Sequence, residues 1–137
     1  MEPLYTAVVT AKGGRDGFVE SSDGVIRLPL RMPKAMGGTG GEATNPEQLF
    51  AAGYAACFDG ALNLVARKER VDVETSVTAS VTIGKDADGG FALAVKLEVS
   101  MPGVEREVAE RLVHAAHQVC PYSKATRGNI DVVVNVV

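Results

Sequence analysis

The alternation of apolar and polar residues is clearest in the second half of the chain. Apolar and polar residues alternate from Val71 to Ile83, and the pattern returns from Phe91 to Val99 after a turn at Asp88-Gly89. Such alternation predicts two strands of a hairpin, each with one buried face. Apolar residues at helical spacing from Val104 to Val119 predict a helix, and the run from Ile130 to Val137 predicts a last strand.

The first half of the chain predicts a three-stranded meander followed by a long helix. Its strands are Leu4 to Ala11, Phe18 to Glu20 and Val25 to Leu30, separated by glycine-containing turns. A glycine-rich loop from Met32 to Ala43 leads to a helix from about Pro46 to Arg70. The predicted order is βββ-α-ββ-α-β, which indicates an α+β fold with antiparallel hairpins.

The helix that starts near Pro46 is apolar on nearly all sides, which is typical of a buried helix. Asn45 can cap its free amides, and Pro46 suits the first helical position. Gly53, Asp59 and Gly60 interrupt the apolar run, so we do not expect a membrane span. Because a lone domain of this size does not easily wrap such a helix, we expect a two-fold homodimer whose sheets enclose both helices.

Composition narrows the class of protein. The chain has 137 residues, which corresponds to one domain over residues 1–137. Its net charge is −3, so it lacks the basic surface that nucleic-acid binding requires. It has two cysteines and no recognisable leader, which favours a reducing cytoplasm, where disulfides are usually transient and chemical.

Cys57 and Cys120 are the first candidates for chemistry, since each is placed near a helix. A buried cysteine most often acts only as a small apolar side chain. The two lie 63 positions apart, and spacing alone does not show that they meet. If they do, one can attack a peroxide and the other can resolve the oxidised product.

Arg15 and Glu47 are the candidates for activating a thiol. An arginine in a glycine-flanked turn is usually solvated, but it can also lower a thiol pKa if a loop delivers it. Glu47 suits the helix N-terminus, and it can also aim Arg15 through a bidentate fork. Ten residues of straight helix rise about 15 Å, so contact of Arg15 with both Glu47 and Cys57 requires a bend, a late helix start near Gly53, or a partner protomer.

Metal binding has little support in the sequence. His114, His117 and Cys120 follow one another at intervals of three, but no CxxC pair accompanies them, and we expect no metal site. The turn from Lys85 to Gly90 lacks the spacing of a calcium loop.

Three segments together resemble one known family. Residues 44–58, TNPEQLFAAGYAACF, are similar to the first active-site segment of the organic hydroperoxide resistance proteins, the Ohr branch of the Ohr/OsmC family. Residues 119–129, VCPYSKATRGN, resemble the second segment, and residues 14–17, GRDG, resemble the arginine loop. The similarity extends over essentially the whole chain and over the order of its elements.

The resemblance implies a cysteine-based peroxidase in an intertwined homodimer with active sites at the dimer interface. Cys57 would be the peroxidatic nucleophile and Cys120 the resolving thiol, with Arg15 and Glu47 activating Cys57. The implied substrates are alkyl or fatty-acid hydroperoxides, and the implied reductant is the dihydrolipoyl group of lipoylated proteins, with no bound cofactor. Three aromatic residues are candidates for an apolar pocket wall around Cys57: Phe50, Phe58 and Tyr122.

Two alternatives stay open at this point. One is an OsmC-type peroxidase with a different peroxide preference. The other is a non-catalytic dimer that senses redox state or binds an apolar ligand.

Overall fold

The computed structural model describes residues 1–137, and the chain divides into two compact units, Met1–Leu49 and Phe50–Val137. Each unit contains one three-stranded sheet. The architecture is α+β, as the residue pattern predicted.

The first unit is a small antiparallel sheet with little buried interior. Its strands β1 (Val9–Lys12), β2 (Phe18–Ser21) and β3 (Arg27–Pro29) are paired in chain order. The predicted first strand begins five residues late, because residues 1–8 pair with no strand of the chain and stay exposed. The only buried apolar side chains in this unit are Val19 and Leu30.

Helix α1 (Pro46–Lys68) begins in the first unit and continues into the second. The Asn45 side chain accepts the main-chain N–H of Gln48 at 2.9 Å, which is the cap that the sequence predicted. Two residues after the end of the helix, Arg70 has a left-handed φ of 56°, and the N–H of Val71 bonds the Ala66 carbonyl at 2.9 Å. Helical structure starts at Pro46, so the expected alternative of a late start near Gly53 is wrong.

The second unit has a larger sheet, formed by β4 (Ser76–Lys85), β5 (Phe91–Ser100) and β6 (Asp131–Val136). The hairpin of β4 and β5 is antiparallel, as predicted, but β6 pairs parallel to β5. The chain between β5 and β6 contains two helices, α2 (Arg106–Val119) and α3 (Pro121–Thr126), which is long enough for a crossover connection. Helix α3 was not predicted, since six residues are too few to show periodicity.

Strand β4 begins five residues later than its alternating pattern. Side-chain exposure alternates from Val71 onwards, but regular pairing starts only at Ser76. A polar contact precedes it: Thr75 Oγ1 donates to Asp59 Oδ1 at 2.5 Å and accepts from Asn63 Nδ2 at 2.9 Å. This contact ties the approach to β4 to the side of α1.

The core of the second unit lies between its sheet and its helices. Its largest fully buried apolar side chains come from α1, α2 and β5: Tyr54, Phe58, Leu62, Leu97, Val99 and Leu112. By length and composition alone α1 could cross a membrane, with a mean hydropathy of 1.4. Six of its side chains are buried in this core, which accounts for its apolar character without a membrane.

Candidate active site

The two cysteines meet in the second unit. Cys57 lies on α1, Cys120 lies between α2 and α3, and Cys120 Sγ is 3.4 Å from Cys57 Sγ with both thiols free. Cys120 is fully buried, whereas Cys57 is half-buried. A disulfide needs sulfurs about 2 Å apart, so a small shift would join them.

The local sequence explains the position of Cys120. Its N–H bonds the Ala116 carbonyl at 2.8 Å and closes α2, while its carbonyl accepts the N–H of Lys124 at 3.0 Å and opens α3. Pro121 has no N–H to continue α2, but it fits the first position of α3. Cys120 is therefore held in the corner between two helices.

The surroundings of Cys57 favour its neutral thiol. Burial raises the pKa of Cys57, the main-chain N–H of Tyr122 acts in the opposite direction, and the adjacent Cys120 thiol raises it further. A thiolate needs positive charge or hydrogen-bond donors to offset burial. Within the second unit, the Tyr122 N–H is the one group identified as lowering this pKa.

Three aromatic rings form a cluster between the start of α1 in the second unit and α3. The ring centroids of Phe50 and Tyr122 are 6.4 Å apart. The ring centroid of the buried Tyr54 lies 6.0 Å from that of Phe50 and 5.8 Å from that of Tyr122. A Cβ on Gly53 would lie 3.2 Å from the Tyr122 ring, so the glycine allows this ring to approach α1 closely. Tyr122 is 40% exposed, which leaves it accessible to an apolar ligand.

Phe58, the third expected pocket residue, is fully buried in the core. Its ring centroid is 6.4 Å from that of His117. Of the three expected aromatic residues, Phe50 and Tyr122 are thus the ones with exposed surface.

Arg15 and Glu47 form a bidentate ion pair in the first unit. Arg15 Nη1 and Nη2 donate to the two carboxylate oxygens of Glu47, both at 2.7 Å. The Glu47 side chain is 14% exposed and that of Arg15 is 29% exposed, so water screens the pair only in part. The hydrogen bonds from Arg15 lower the pKa of Glu47, and those to Glu47 raise the pKa of Arg15.

A glycine-dependent turn presents Arg15. Residues Gly14–Asp16 form one 3₁₀ turn after Gly13, whose φ is 77°. A Cβ on Gly17 would lie 1.6 Å from the Lys12 carbonyl oxygen, so only glycine fits there. Asp16 Oδ1 accepts the N–H of Met32 at 3.1 Å, which anchors the turn to the following loop.

The four expected catalytic residues therefore form two pairs. Arg15 and Glu47 are paired in the first unit, and Cys57 and Cys120 are paired in the second. His114, His117 and Cys120 do not form a metal-ligating cluster. The sequence analysis missed a buried polar group on α3, Ser123 and Thr126, because their hydroxyls look like ordinary surface residues in a short segment.

Residues 38–135 match the family model described as "OsmC-like protein". The chain is 60% identical over 137 residues to "Organic hydroperoxide resistance protein OhrA" of Bacillus subtilis (strain 168), covering 98% of this chain and 97% of the relative.

Solved structures of similar proteins share the fold over nearly their whole length. The crystal structure of OhrB of Bacillus subtilis has a TM-score of 0.90 and 50% identity, with 98% of this chain and 100% of that chain covered. An organic hydroperoxide resistance protein from Elizabethkingia anophelis, with crystallant-derived thiocyanate bound, has a TM-score of 0.94 and 53% identity, with 99% and 98% covered.

Proposed function

Because the chain belongs to the Ohr family of OsmC-like proteins, we propose that it reduces organic hydroperoxides to alcohols with Cys57 as its nucleophile. Family membership identifies a peroxidase-type enzyme of organic hydroperoxide detoxification. The roles of individual residues, the reductant and the dimer are the finer parts of the proposal.

One observation carries the proposal: a half-buried thiol faces a fully buried thiol at 3.4 Å. A peroxide from solvent can reach the more accessible Cys57 before Cys120. The buried Cys120 is close enough to capture an oxidised Cys57 at once. This difference in accessibility supports Cys57 as the peroxidatic cysteine and Cys120 as the resolving one.

The chemistry proceeds in three balanced steps. The Cys57 thiolate attacks the O–O bond of the hydroperoxide, which leaves Cys57 as a sulfenic acid and releases the alcohol after the departing alkoxide takes up a proton. The Cys120 thiol then condenses with the sulfenic acid, forming the Cys57–Cys120 disulfide and water. Finally, an external dithiol reduces the disulfide by exchange and is itself oxidised to a disulfide.

The Arg15–Glu47 pair would provide the charge that the first step needs. Burial raises the pKa of Cys57, so the thiolate requires a cation close to its sulfur. In our proposal the Arg15 guanidinium is that cation, from the same chain or a partner protomer, and Glu47 orients it through both carboxylate oxygens. A bend in α1 or a partner contribution stays the predicted way for Arg15 to serve both groups.

The electron donor in this proposal is taken from the resemblance to the Ohr family, and the substrate class also from the apolar surface beside the thiols. We propose that dihydrolipoyl groups of lipoylated proteins reduce the disulfide, with no cofactor bound to the chain. The exposed part of the Tyr122 ring and the adjacent Phe50 offer an apolar surface for alkyl or fatty-acid hydroperoxides. A cytoplasmic location stays a prediction of the sequence.

A homodimer is part of the proposal because each unit leaves apolar surface uncovered. Leu4 is 94% exposed and Tyr5 is 83% exposed in the first unit, and Phe91 is 74% exposed in the second. Sedimentation equilibrium should give twice the chain mass of 14.3 kDa. A monomer at micromolar concentration would remove the dimer from the proposal.

The proposed reaction is tested by following cumene hydroperoxide consumption with dihydrolipoamide as reductant. Wild type should turn over many times, and Cys57→Ser should lose activity by at least about 1,000-fold, since no nucleophile remains. Without reductant, Cys120→Ser should consume one equivalent of peroxide to form the Cys57 sulfenic acid and a second equivalent to form the sulfinic acid, which intact-protein mass spectrometry detects.

The outcomes separate the proposal from the alternatives. Retained turnover in Cys57→Ser would refute the mechanism. Equal rates with hydrogen peroxide would favour an OsmC-type preference. Stoichiometric oxidation of wild type without turnover would favour a redox sensor.

A further inference from the structure

A buried chain of hydrogen bonds lies behind the thiol pair. Tyr54 Oη is 3.0 Å from Ser123 Oγ and 3.0 Å from Thr126 Oγ1, and Ser123 Oγ is 2.8 Å from Nδ1 of His117. Tyr54 and Ser123 are completely buried, and Thr126 is 6% exposed. The chain thus joins α1, α3 and the last turn of α2.

This polar group stands out because the rest of the core of the second unit is apolar. Ser123 and Thr126 are the two buried polar residues of the whole chain apart from tyrosine, and both belong to the six-residue α3. Buried hydroxyls destabilise a protein unless they are hydrogen-bonded, and no buried polar side-chain atom here lacks a partner. The arrangement is therefore specific, because each hydroxyl depends on the position of the next.

Helix α3 cannot hold its own position. Isolated helices of six residues are unstable, so tertiary contacts must fix it. Two of these contacts come from His117: its ring bonds Ser123, and its carbonyl oxygen accepts Arg127 Nη1 at 2.5 Å. His117 thus holds the first turn of α3 and the residue that follows its last turn.

The same short helix determines the geometry of the thiols. Cys120 immediately precedes α3, and the main-chain N–H of Tyr122 in its first turn interacts with the Cys57 sulfur. A shift of α3 would therefore move the resolving thiol and a hydrogen-bond donor to Cys57 together.

The donors and acceptors of the chain can all be matched when His117 is neutral. With the ring proton on Nδ1, His117 donates to Ser123, Ser123 donates to Tyr54, Tyr54 donates to Thr126, and Thr126 donates to the Ser123 carbonyl oxygen at 3.3 Å. Burial lowers the pKa of His117, and the positive charges of Arg127 and His114 act in the same direction, which favours the neutral ring.

We propose that His117 and Ser123 are positioning residues for disulfide formation: their hydrogen bond fixes α3 so that Cys120 lies against Cys57. The inference rests on the proposed function, since it assigns Cys120 as the resolving thiol. Without the bond, α3 would sample other positions, and the Cys57 sulfenic acid would wait longer for Cys120. A second peroxide would then oxidise Cys57 to sulfinic acid more often.

The experiment measures how oxidised Cys57 divides between disulfide and sulfinic acid. Wild type, His117→Phe and Ser123→Ala are treated with excess cumene hydroperoxide, quenched and analysed by intact-protein mass spectrometry. Each variant should raise the ratio of sulfinic acid to disulfide by about tenfold, the upper range for one lost hydrogen bond. The double variant should be no worse than Ser123→Ala alone, because Ser123→Ala already removes the bond to His117.

A matched control and a rescue make the test specific. His114→Phe introduces the same change one turn earlier on α2, at an exposed histidine outside the hydrogen-bond chain, and should keep the wild-type ratio. His117→Asn places a side-chain amide near the position of Nδ1, where its N–H donates to Ser123, and should restore most of the wild-type ratio. Ser123→Ala keeps the proposal testable if His117→Phe does not fold.

A second readout does not depend on peroxidase activity. The equilibrium between the Cys57–Cys120 disulfide and the dithiol is measured in glutathione buffers, where the two positioning variants should shift it about tenfold towards the dithiol. An unchanged ratio and an unchanged equilibrium in both variants, even with a lowered melting temperature, would overturn the inference. Loss of peroxide turnover in wild type, with the glutathione shift intact, would instead refute only the proposed function.

Discussion

The Arg15–Glu47 pair and the Cys57–Cys120 pair are supported by very different surroundings. The ion pair connects a 3₁₀ turn to the first turn of α1, in a unit with two buried apolar side chains. The thiol pair lies among helices packed in a continuous apolar core. The charged partners depend on a few hydrogen bonds, whereas the thiols are held by apolar packing and, at α3, by buried hydrogen bonds.

This difference matches what the proposed function requires of each pair. A resolving thiol has to stay in place, because disulfide formation competes with over-oxidation. A guanidinium that activates a thiolate loses its electrostatic partner once the disulfide forms. Segments with few buried contacts open at low free-energy cost, so the Arg15 turn is suited to moving away while the thiols stay.

Removal of the guanidinium is expected to have the largest effect. Arg15→Ala should slow the oxidation of Cys57 by about 100-fold at neutral pH, because positive charge near a developing thiolate is lost. The free energy of unfolding should fall by about 1 kcal/mol at pH 7, because the ion pair with Glu47 is lost, while Gly17 and Asp16 still hold the turn. Stopped-flow measurement of peroxide consumption in a single turnover gives the rate.

Arg27→Ala is the matched control for that experiment. Arg27 lies on β3 of the same unit and pairs with Glu20 at 3.4 Å, but its side chain is 67% exposed. Removal of Arg27 should leave the rate of Cys57 oxidation within about twofold of wild type, because a screened surface ion pair contributes little. If both variants were equally slow, the effect would come from net charge and not from a specific activating group.

The sequence predicted the elements whose signals are local. The alternation of β4 and β5 and the Asn45 cap depend on near neighbours, and the structure has both. The parallel pairing of β6 depends on how two helices return the chain to the sheet, which no local pattern encodes. Helix α3 lacked a signal because its stability comes from buried hydroxyls contacting α1 and α2.

Residue types and then the resemblance identified the candidate residues, while their pairing required three dimensions. Arg15 and Glu47 are 32 positions apart, and Cys57 and Cys120 are 63 apart. Residue types suggested an ion pair and a thiol pair, but folding decided that the partners meet. The raised pKa of Cys57 also had to come from the structure, because it depends on burial.

The two pairs should affect stability at opposite ends of the pH range. Arg15 lowers the folded-state pKa of Glu47. The ion pair's contribution to the free energy of unfolding is therefore complete above the ordinary glutamate pKa of about 4.3. It is lost as pH falls through the lower pKa of Glu47 in the folded protein. Burial raises the folded-state pKa of Cys57. The contribution of the neutral thiol to the free energy of unfolding is therefore complete below the ordinary cysteine pKa of about 8.5. It is lost as pH rises through the higher pKa of Cys57 in the folded protein.

Urea denaturation across pH checks this contrast. Glu47→Gln should destabilise the protein by about 1 kcal/mol at pH 7 and reduce the loss of stability in acid. Cys57→Ser should reduce the loss in alkali and leave the acid side unchanged. Identical pH profiles for both variants and wild type would show that neither pair responds to pH in this way.

Gly53→Ala is expected to have the smallest effect, and it tests what this glycine does in α1. Alanine favours helix over glycine by about 1 kcal/mol. The new Cβ would lie 3.2 Å from the Tyr122 ring, so the ring must shift by a few tenths of an ångström. The two effects oppose each other, and we expect a change in unfolding free energy within about 0.5 kcal/mol, with a peroxidase rate within about threefold.

Replacing the Tyr122 ring tests whether Gly53 is needed for the close contact with that ring or as a hinge in α1. In a Tyr122→Leu background the contact is gone, so Gly53→Ala should there stabilise the protein by nearly the full helix-propensity difference of about 1 kcal/mol. A hinge would behave differently, because alanine would stiffen α1 and reduce turnover in both backgrounds alike. A strong rate loss that does not depend on Tyr122 would therefore assign Gly53 to bending of α1, the arrangement that would bring the charged pair and the thiols into one site within a single chain.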